Sequence, residues 1–354
     1  MIHTPTLLRL TGLPVLQNKV YSSAASASSS PRGDMVLTQD PSSGLVFNTA
    51  FDPRLLSYDA DYQNEQACSP VFQQHLDDVL AVIRRHFRTP SLIEVGCGKG
   101  YFLQHLRAAG YDATGVDPAF EGDSPFVVRA QFSPALGLSA DSIVLRHTLE
   151  HIQDPFQFLQ AIALANGGKG SIYIEVPCFE WICERRAWFD IFYEHVNYFR
   201  ASDFRRMFGC ILEAGHVFGG QYLYVVADLA SLRDPAAVPA NAAILPPDFL
   251  AGVERSITLA RSASGPKAIW GSSSKGVIFA HHLHNAGVDF ELGIDINPAK
   301  QKRFMAGSGL KIVSPEEASA SLPDGALVFV MNSNYFDEIA EQSRNRFRLV
   351  KVDQ

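Results

Sequence analysis

Four short clusters in this chain carry residue types that can do chemistry. The first is Leu92-Ile93-Glu94-Val95-Gly96-Cys97-Gly98-Lys99-Gly100, an apolar strand-like run entering E-x-G-x-G-x-G. Closely spaced glycines let the backbone turn sharply and let a ligand approach main-chain N–H groups. A helix starting behind them favours a carboxylate or phosphate. Asp117 closes the next strand-like run, Thr114-Gly115-Val116-Asp117, where a carboxylate is placed to accept hydrogen bonds from both hydroxyls of a ribose. The spacing is not the G-x-G-x-x-G of dinucleotide binders, although a turn that carries glycine for packing alone would look similar. The second cluster is Arg146-His147-Thr148-Leu149-Glu150-His151, and the third runs from Trp188 to Phe199 through Tyr193-Glu194-His195-Val196-Asn197. Both set imidazoles beside carboxyl groups, as proton transfer requires. The fourth is Gly271-Ser272-Ser273-Ser274-Lys275-Gly276, whose hydroxyls, amides and Lys275 at a helix start suit a phosphate or diphosphate, or simply pack the turn.

These clusters need elements to hold them. Short Val/Ile/Leu-rich runs at 91–95, 113–116, 126–128, 142–145 and 170–175 predict strands, each followed by a turn signal. Helical periodicity covers 72–83, 101–109 and 155–164. Buried parallel strands alternating with helices make an α/β, Rossmann-like doubly wound sheet. The pattern breaks at the Pro-rich stretch 234–247 and restarts with a strand at 267–270, a helix at 277–286 and strands at 290–295 and 326–330. The expected organisation is a small N-terminal region (1–50), a first α/β domain (51–233), a linker (234–265) and a second, smaller Rossmann-like domain (266–354). Residues 1–45 read as irregular, with the low-complexity stretch 22–33 a mobile loop.

A chain of 354 residues with 47% apolar and 19% charged side chains is long enough for more than one globular core. A net charge of −7 and no Lys/Arg-rich run argue against a nucleic-acid partner. No apolar run reaches the length of a membrane span. The five cysteines form no C-x-x-C pair, so no structural metal site and no disulfide framework are expected, and the plain location is the cytoplasm. The acid-free, Ser/Ala-rich first 33 residues would also suit a transit peptide.

The run from Glu94 to Gly100 with Asp117 resembles the class I S-adenosylmethionine methyltransferases, and R-H-T-L-E-H-I-x-D-P resembles their segment after strand four. The resemblance implies that Gly96 and Gly98 approach the methionine portion and Asp117 holds the ribose. It also sets Gln131 and Phe132 against the adenine and His147 near the sulfonium. The Glu194-His195-x-x-Tyr198-Phe199 run is similar to the sugar C-methyltransferases, which act on nucleotide-linked keto-deoxysugars. There His195 would be the base that removes a proton beside the keto group, and Glu194 would orient it or bind a sugar hydroxyl. The family's leading Tyr is Phe192 here, and Tyr193 falls one place later. Gly44-Leu45-Val46-Phe47-Asn48 and Phe51-Asp52-Pro53 resemble the family's N-terminal zinc module, with Thr11, Ser42 and Ser43 where cysteines would stand, hence a metal-free remnant. Tyr58 and Tyr62 resemble a segment that folds over the cofactor pocket. The 271–276 turn and Asp295-Ile296-Asn297-Pro298 resemble the family's C-terminal domain.

The resulting expectation is an S-adenosylmethionine-dependent C-methyltransferase of a small polar acceptor, with O- or N-methylation as the alternative. Its cofactor set is Glu94, Gly96, Cys97, Gly98, Asp117, Pro118, Gln131, Phe132, His147, Tyr58 and Tyr62. Its catalytic set is His195, Glu194, Tyr193 and His147, and its acceptor set is Asn197, Glu175, Ser273, Ser274 and Lys275.

Overall fold

The computed structural model describes residues 6–59 and 61–353. Residues 1–5, Ala60 and Gln354, at the edge of the expected N-terminal region, in the 58–63 segment and at the end of the second α/β domain, lie outside the described residues.

The larger sheet has seven strands: Ser91–Val95, Asp112–Val116, Val127–Val128, Ser142–Arg146, Ser171–Pro177, Ile211–Val217 and Tyr222–Asp228. In space they run sixth, seventh, fifth, fourth, first, second, third. The first five are parallel, and the seventh runs antiparallel to its two neighbours, the fifth and the sixth. The fourth strand is buried at every position, which explains its unbroken apolar run, since helices cover a parallel sheet on both faces. Strand order reverses between the first and fourth strands, and their carboxyl ends open a crevice there. The helix Pro70–His86 starts where Ser69 Oγ accepts the Phe72 N–H, with Pro70 in the first turn, and ends on Arg84, Arg85 and His86. Its apolar face, Phe72, Leu76, Val79 and Ile83, packs inward.

The second sheet is wholly parallel, with strands Lys267–Trp270, Leu292–Ile294, Ile312–Val313, Leu327–Val330 and Arg348–Lys351 in the order third, second, first, fourth, fifth. Its crevice also lies after the first strand. The strand Arg348–Lys351 leaves no long apolar run because it is a half-exposed edge strand whose two apolar residues are bracketed by two basic ones. Within 234–265, expected as a linker, the helix Ala251–Ser262 buries Ile257 and Ala260 and packs on the helix Lys275–Asn285.

The N-terminal region corrects the sequence expectation most. It is neither irregular nor loose: Thr6–Pro14 and Arg32–Gln39 form an antiparallel pair, extended by Val46–Asn48 and then by Asn197–Tyr198. The Ser/Ala-rich stretch contains the helix Ala24–Ser28, capped by Ser23, with Ala27 wholly buried. Gly307 N–H donates to Ser30 Oγ (3.0 Å) and Arg32 donates to Gly307 O (3.1 Å). Small side chains allow this close approach to the second sheet's 304–309 turn, so the low complexity marks tight packing. At Ser42 and Ser43, arginine does the fastening. Arg206 donates to the carbonyls of Ser42, Ser43, Pro235 and Val238, and Arg200 to those of Gly44 and Asn241.

Candidate active site

The turn after the first strand is built as its glycines require. Gly96 has φ +78°, a conformation that disfavours side chains, and a Cβ there would overlap Thr148. Gly98 N–H donates to Asp117 Oδ2 at 2.8 Å, and Ala119 N–H donates to Oδ1 at 2.8 Å. Glu94, just upstream, is buried with Oε2 unpartnered. Burial raises its pKa to about 8, against the pull of Arg146 and with a push from Asp117.

Beyond the fourth strand, His147 adopts φ +49°. Its Nε2 lies 2.9 Å from Glu175 Oε1 and its Nδ1 3.4 Å from Glu150 Oε1. Burial alone would lower its basicity, but the two carboxylates raise its pKa to about 9, so this imidazole is cationic at neutral pH. Glu175, expected to bind the acceptor, instead sits fully buried among Arg146, His75, His147 and Tyr173. Burial opposes its ionisation, yet Arg146 and His75 hold its carboxyl well below the usual range. Its oxygens are already engaged, and it positions His147.

The 192–199 segment is stitched to this loop by three hydrogen bonds. Val196 N–H donates to Glu150 O (2.9 Å), His151 Nδ1 pairs with Glu194 O (2.8 Å), and Asn197 Nδ2 donates to Ile152 O (2.6 Å). Asn197 is therefore a structural stitch, not an acceptor contact. Tyr193 is also displaced from its expected role: its ring packs on Phe51 and over Gly33, and its hydroxyl accepts the Asp52 N–H (2.7 Å). Glu194 does not orient His195, since its carboxylate turns toward the N-terminal region and accepts the Gln17 N–H (2.8 Å). Burial raises its pKa, opposed by His151 and Tyr62. Residues 192–195 form a turn closed by the His195 N–H donating to Phe192 O (3.1 Å), which brings the Phe192 and His195 rings together and leaves Tyr193 and Glu194 at its tip facing other neighbours. Burial, then the neighbouring imidazoles His151 and His147 and the Lys275 ammonium, hold His195 well below its usual pKa, so it is neutral. Phe192 lies against it, ring centroids 4.0 Å apart.

After the first strand of the second sheet, Ser274 is strained (φ +36°), and a Cβ at Gly276 would overlap Gly271 O, which fixes glycine there. Ser274 Oγ pairs with Asn18 Oδ1 (3.0 Å), and Asn18 Nδ2 donates to Tyr62 Oη (3.3 Å). Lys275 Nζ pairs with Asp190 at 3.0 Å, and Lys300 Nζ reaches Ser273 Oγ (2.6 Å) and Asp295 (3.2 Å).

One cavity of about 330 Å³ joins the two crevices. Glu94, Gly96, Cys97, Gly98, His147, His195, Tyr62, Ser273, Ser274 and Lys275 all line it. Asp117, Pro118, Gln131 and Phe132 do not, nor do Tyr58, Tyr193, Glu194, Asn197 and Glu175. Asp117 adjoins the cavity through Gly98, Pro118 and Gln131 are exposed, and Phe132 is buried against Phe158. Glu150, His151, Asp190, Tyr222 and Lys300 also line the cavity. Asp190 lay in a cluster already marked, and Lys300 follows the Asp295-Ile296-Asn297-Pro298 run, but Tyr222 had no local signal. Although no metal ligands were expected, two groups of donor side chains converge: His75, His147 and Glu175, and Glu150, His151 and His195. No helix among the described residues is long and apolar enough to cross a membrane.

Comparison with known proteins agrees with this geometry. A methyltransferase domain family matches residues 62–209, and the C-methyltransferase C-terminal domain family matches residues 254–349. The C-methyltransferase NovU of Streptomyces niveus is 24% identical over 292 residues, covering 72% of this chain and 69% of that protein. Among solved structures, magnesium protoporphyrin IX methyltransferase of Synechocystis PCC 6803 with bound SAM is 16% identical, with a TM-score of 0.33 over 45% of this chain and 79% of its own. A SAM-dependent methyltransferase from Anabaena variabilis is 14% identical, with a TM-score of 0.33 over 47% and 96%. A Rossmann-like glycine turn under one half of the cavity, with a methyltransferase domain matched over residues 62–209 and a C-methyltransferase C-terminal domain matched over residues 254–349, marks this chain as an S-adenosylmethionine-dependent methyltransferase.

Proposed function

We propose that the acceptor is a nucleotide-linked keto-deoxysugar, methylated at the carbon beside its keto group. The observation that carries this is the shared cavity: the Gly96–Gly98 turn lines one side, the Ser273–Lys275 turn lines another, and His195 stands on the wall. Bound S-adenosylmethionine supplies an electrophilic methyl group. The donor set suits it, because the buried Glu94 Oε2 lacks a partner that a cationic amino acid moiety provides. Gly96 and Gly98 leave room for its backbone, and Asp117 accepts from its ribose.

His195 is neutral and so ready to take a proton from carbon. The positive charges that weaken it as a base, His147 and Lys275, also stabilise an enolate, so the proton moves into a field that favours the anion. Phe192 keeps water from the imidazole. Lys300 and Lys275, beside the Ser273 and Ser274 hydroxyls, suit the diphosphate of the nucleotide.

His195→Ala should lower kcat by about 10²–10⁴-fold while the Kd for S-adenosylmethionine, measured by calorimetry, stays unchanged. Full turnover in that variant would contradict the carbon-acid mechanism. A second reading, methyl transfer to oxygen or nitrogen, draws on Phe192 standing where the sugar enzymes carry tyrosine, and on the lowered basicity of His195.

A further inference from the structure

Of the two donor groups in the fold, one is closed and one is open. In His75–His147–Glu175, the glutamate oxygens already meet Arg146, His75, His147 and Tyr173, which leaves no lone pair for an ion. Glu150, His151 and His195 differ. Glu150 is 1% exposed, and neither of its carboxyl oxygens has a hydrogen-bond partner. Its one charged neighbour within ion-pair distance among the described residues is His147, at 3.4 Å. His151 commits Nδ1 to Glu194 O, which fixes the tautomer and frees the Nε2 lone pair, the orientation that metal-ligating histidines share. No hydrogen bond engages the His195 ring among the described residues.

All three side chains line the cavity, and their donor atoms lie within 4.8 Å of one another. Ligands at about 2.0–2.2 Å around a tetrahedral ion stand about 3.5 Å apart, a contraction that side-chain rotation supplies. Two imidazoles and one carboxylate suit zinc and its neighbours better than calcium or magnesium. The charges facing the site do not forbid a cation, because His147 is offset by Glu175 and Lys275 by Asp190.

We propose that Glu150, His151 and His195 form a binding site for a divalent transition-metal ion of the zinc class, and that this ion and the methyl acceptor compete for it. The site rests on the geometry alone. The competition rests on the assignment of His195 as base, since an ion there takes the lone pair that would accept the proton.

The test uses the full chain, stripped by chelator and without acceptor, titrated with Co²⁺ as the spectroscopic probe. The expected result is one bound equivalent with a visible absorption band, displaced by Zn²⁺. His151→Ala and Glu150→Gln should each weaken binding by more than about tenfold, with far-ultraviolet circular dichroism showing that each variant folds. His86→Ala, on the surface beside Glu213, should leave it unchanged. In turnover assays Zn²⁺ should raise the apparent KM for the acceptor and not that for S-adenosylmethionine. No saturable Co²⁺ binding, or binding equal in wild type and both cavity variants, overturns the site. Co²⁺ binding lost in those variants while His195→Ala still methylates at full rate upholds the site and overturns only the base assignment.

Discussion

Glu94 ends up inside the fold with an oxygen that no protein group satisfies. Its pKa of about 8 against an ordinary 4.5 means that, between those values, the folded chain holds a proton that the unfolded chain has released. Stability therefore falls as pH rises across that window. In the cofactor-free protein, Glu94→Gln should be more stable than wild type by a margin that grows by about 3 kcal/mol from about pH 5 to about pH 8. The same change should weaken S-adenosylmethionine binding. Urea midpoints at several pH values check the first expectation, and a margin independent of pH would contradict it. Glu94, Gly96, Gly98 and Asp117 were legible in sequence because one strand–turn–helix and the end of the next strand hold them, so spacing alone implies the geometry. Tyr193, Glu194 and Asn197 were misplaced because the 192–195 turn and the hydrogen bonds that anchor it decide which side chains face the cavity, and a motif does not state that geometry.

Among elements, the five parallel strands of the larger sheet and the first, second and fourth strands of the second sheet were readable from short apolar runs, whereas Ile211–Val217, Tyr222–Asp228, Ile312–Val313, Arg348–Lys351 and the helix Ala251–Ser262 were not. The N-terminal sheet was not. Its strand Thr6–Pro14 is only partly buried, and its neighbours pair with distant segments, Asn197–Tyr198 included. Low complexity at 22–33 suggested mobility because composition cannot report a partner surface such as the 304–309 turn. The arginines that fasten the sheet carry no motif either. Arg206 is 5% exposed and serves four carbonyls. Arg206→Ala should cost about 2–5 kcal/mol in urea denaturation, and Arg206→Lys should recover little because an ammonium cannot span that fork. A midpoint unchanged in the alanine variant would mean that the sheet is held some other way.

At the scale of the molecule, the cavity has three contributors. The larger sheet brings the glycine turn and the His147–His151 loop, and the second sheet brings the Ser273–Lys275 turn. The N-terminal region brings Asn18, which bridges Tyr62 and Ser274. Under the proposed function, cofactor chemistry falls to one crevice and acceptor recognition to the other, with His195 on the shared wall. The most direct test is transfer from S-adenosylmethionine carrying a carbon-13 methyl group to a nucleotide-linked keto-deoxysugar, with the product read by carbon NMR. The account predicts a methyl resonance coupled to a sugar carbon beside the keto group, together with loss of the proton at that carbon. A methyl resonance at an oxygen or nitrogen position, with that proton retained, would contradict it.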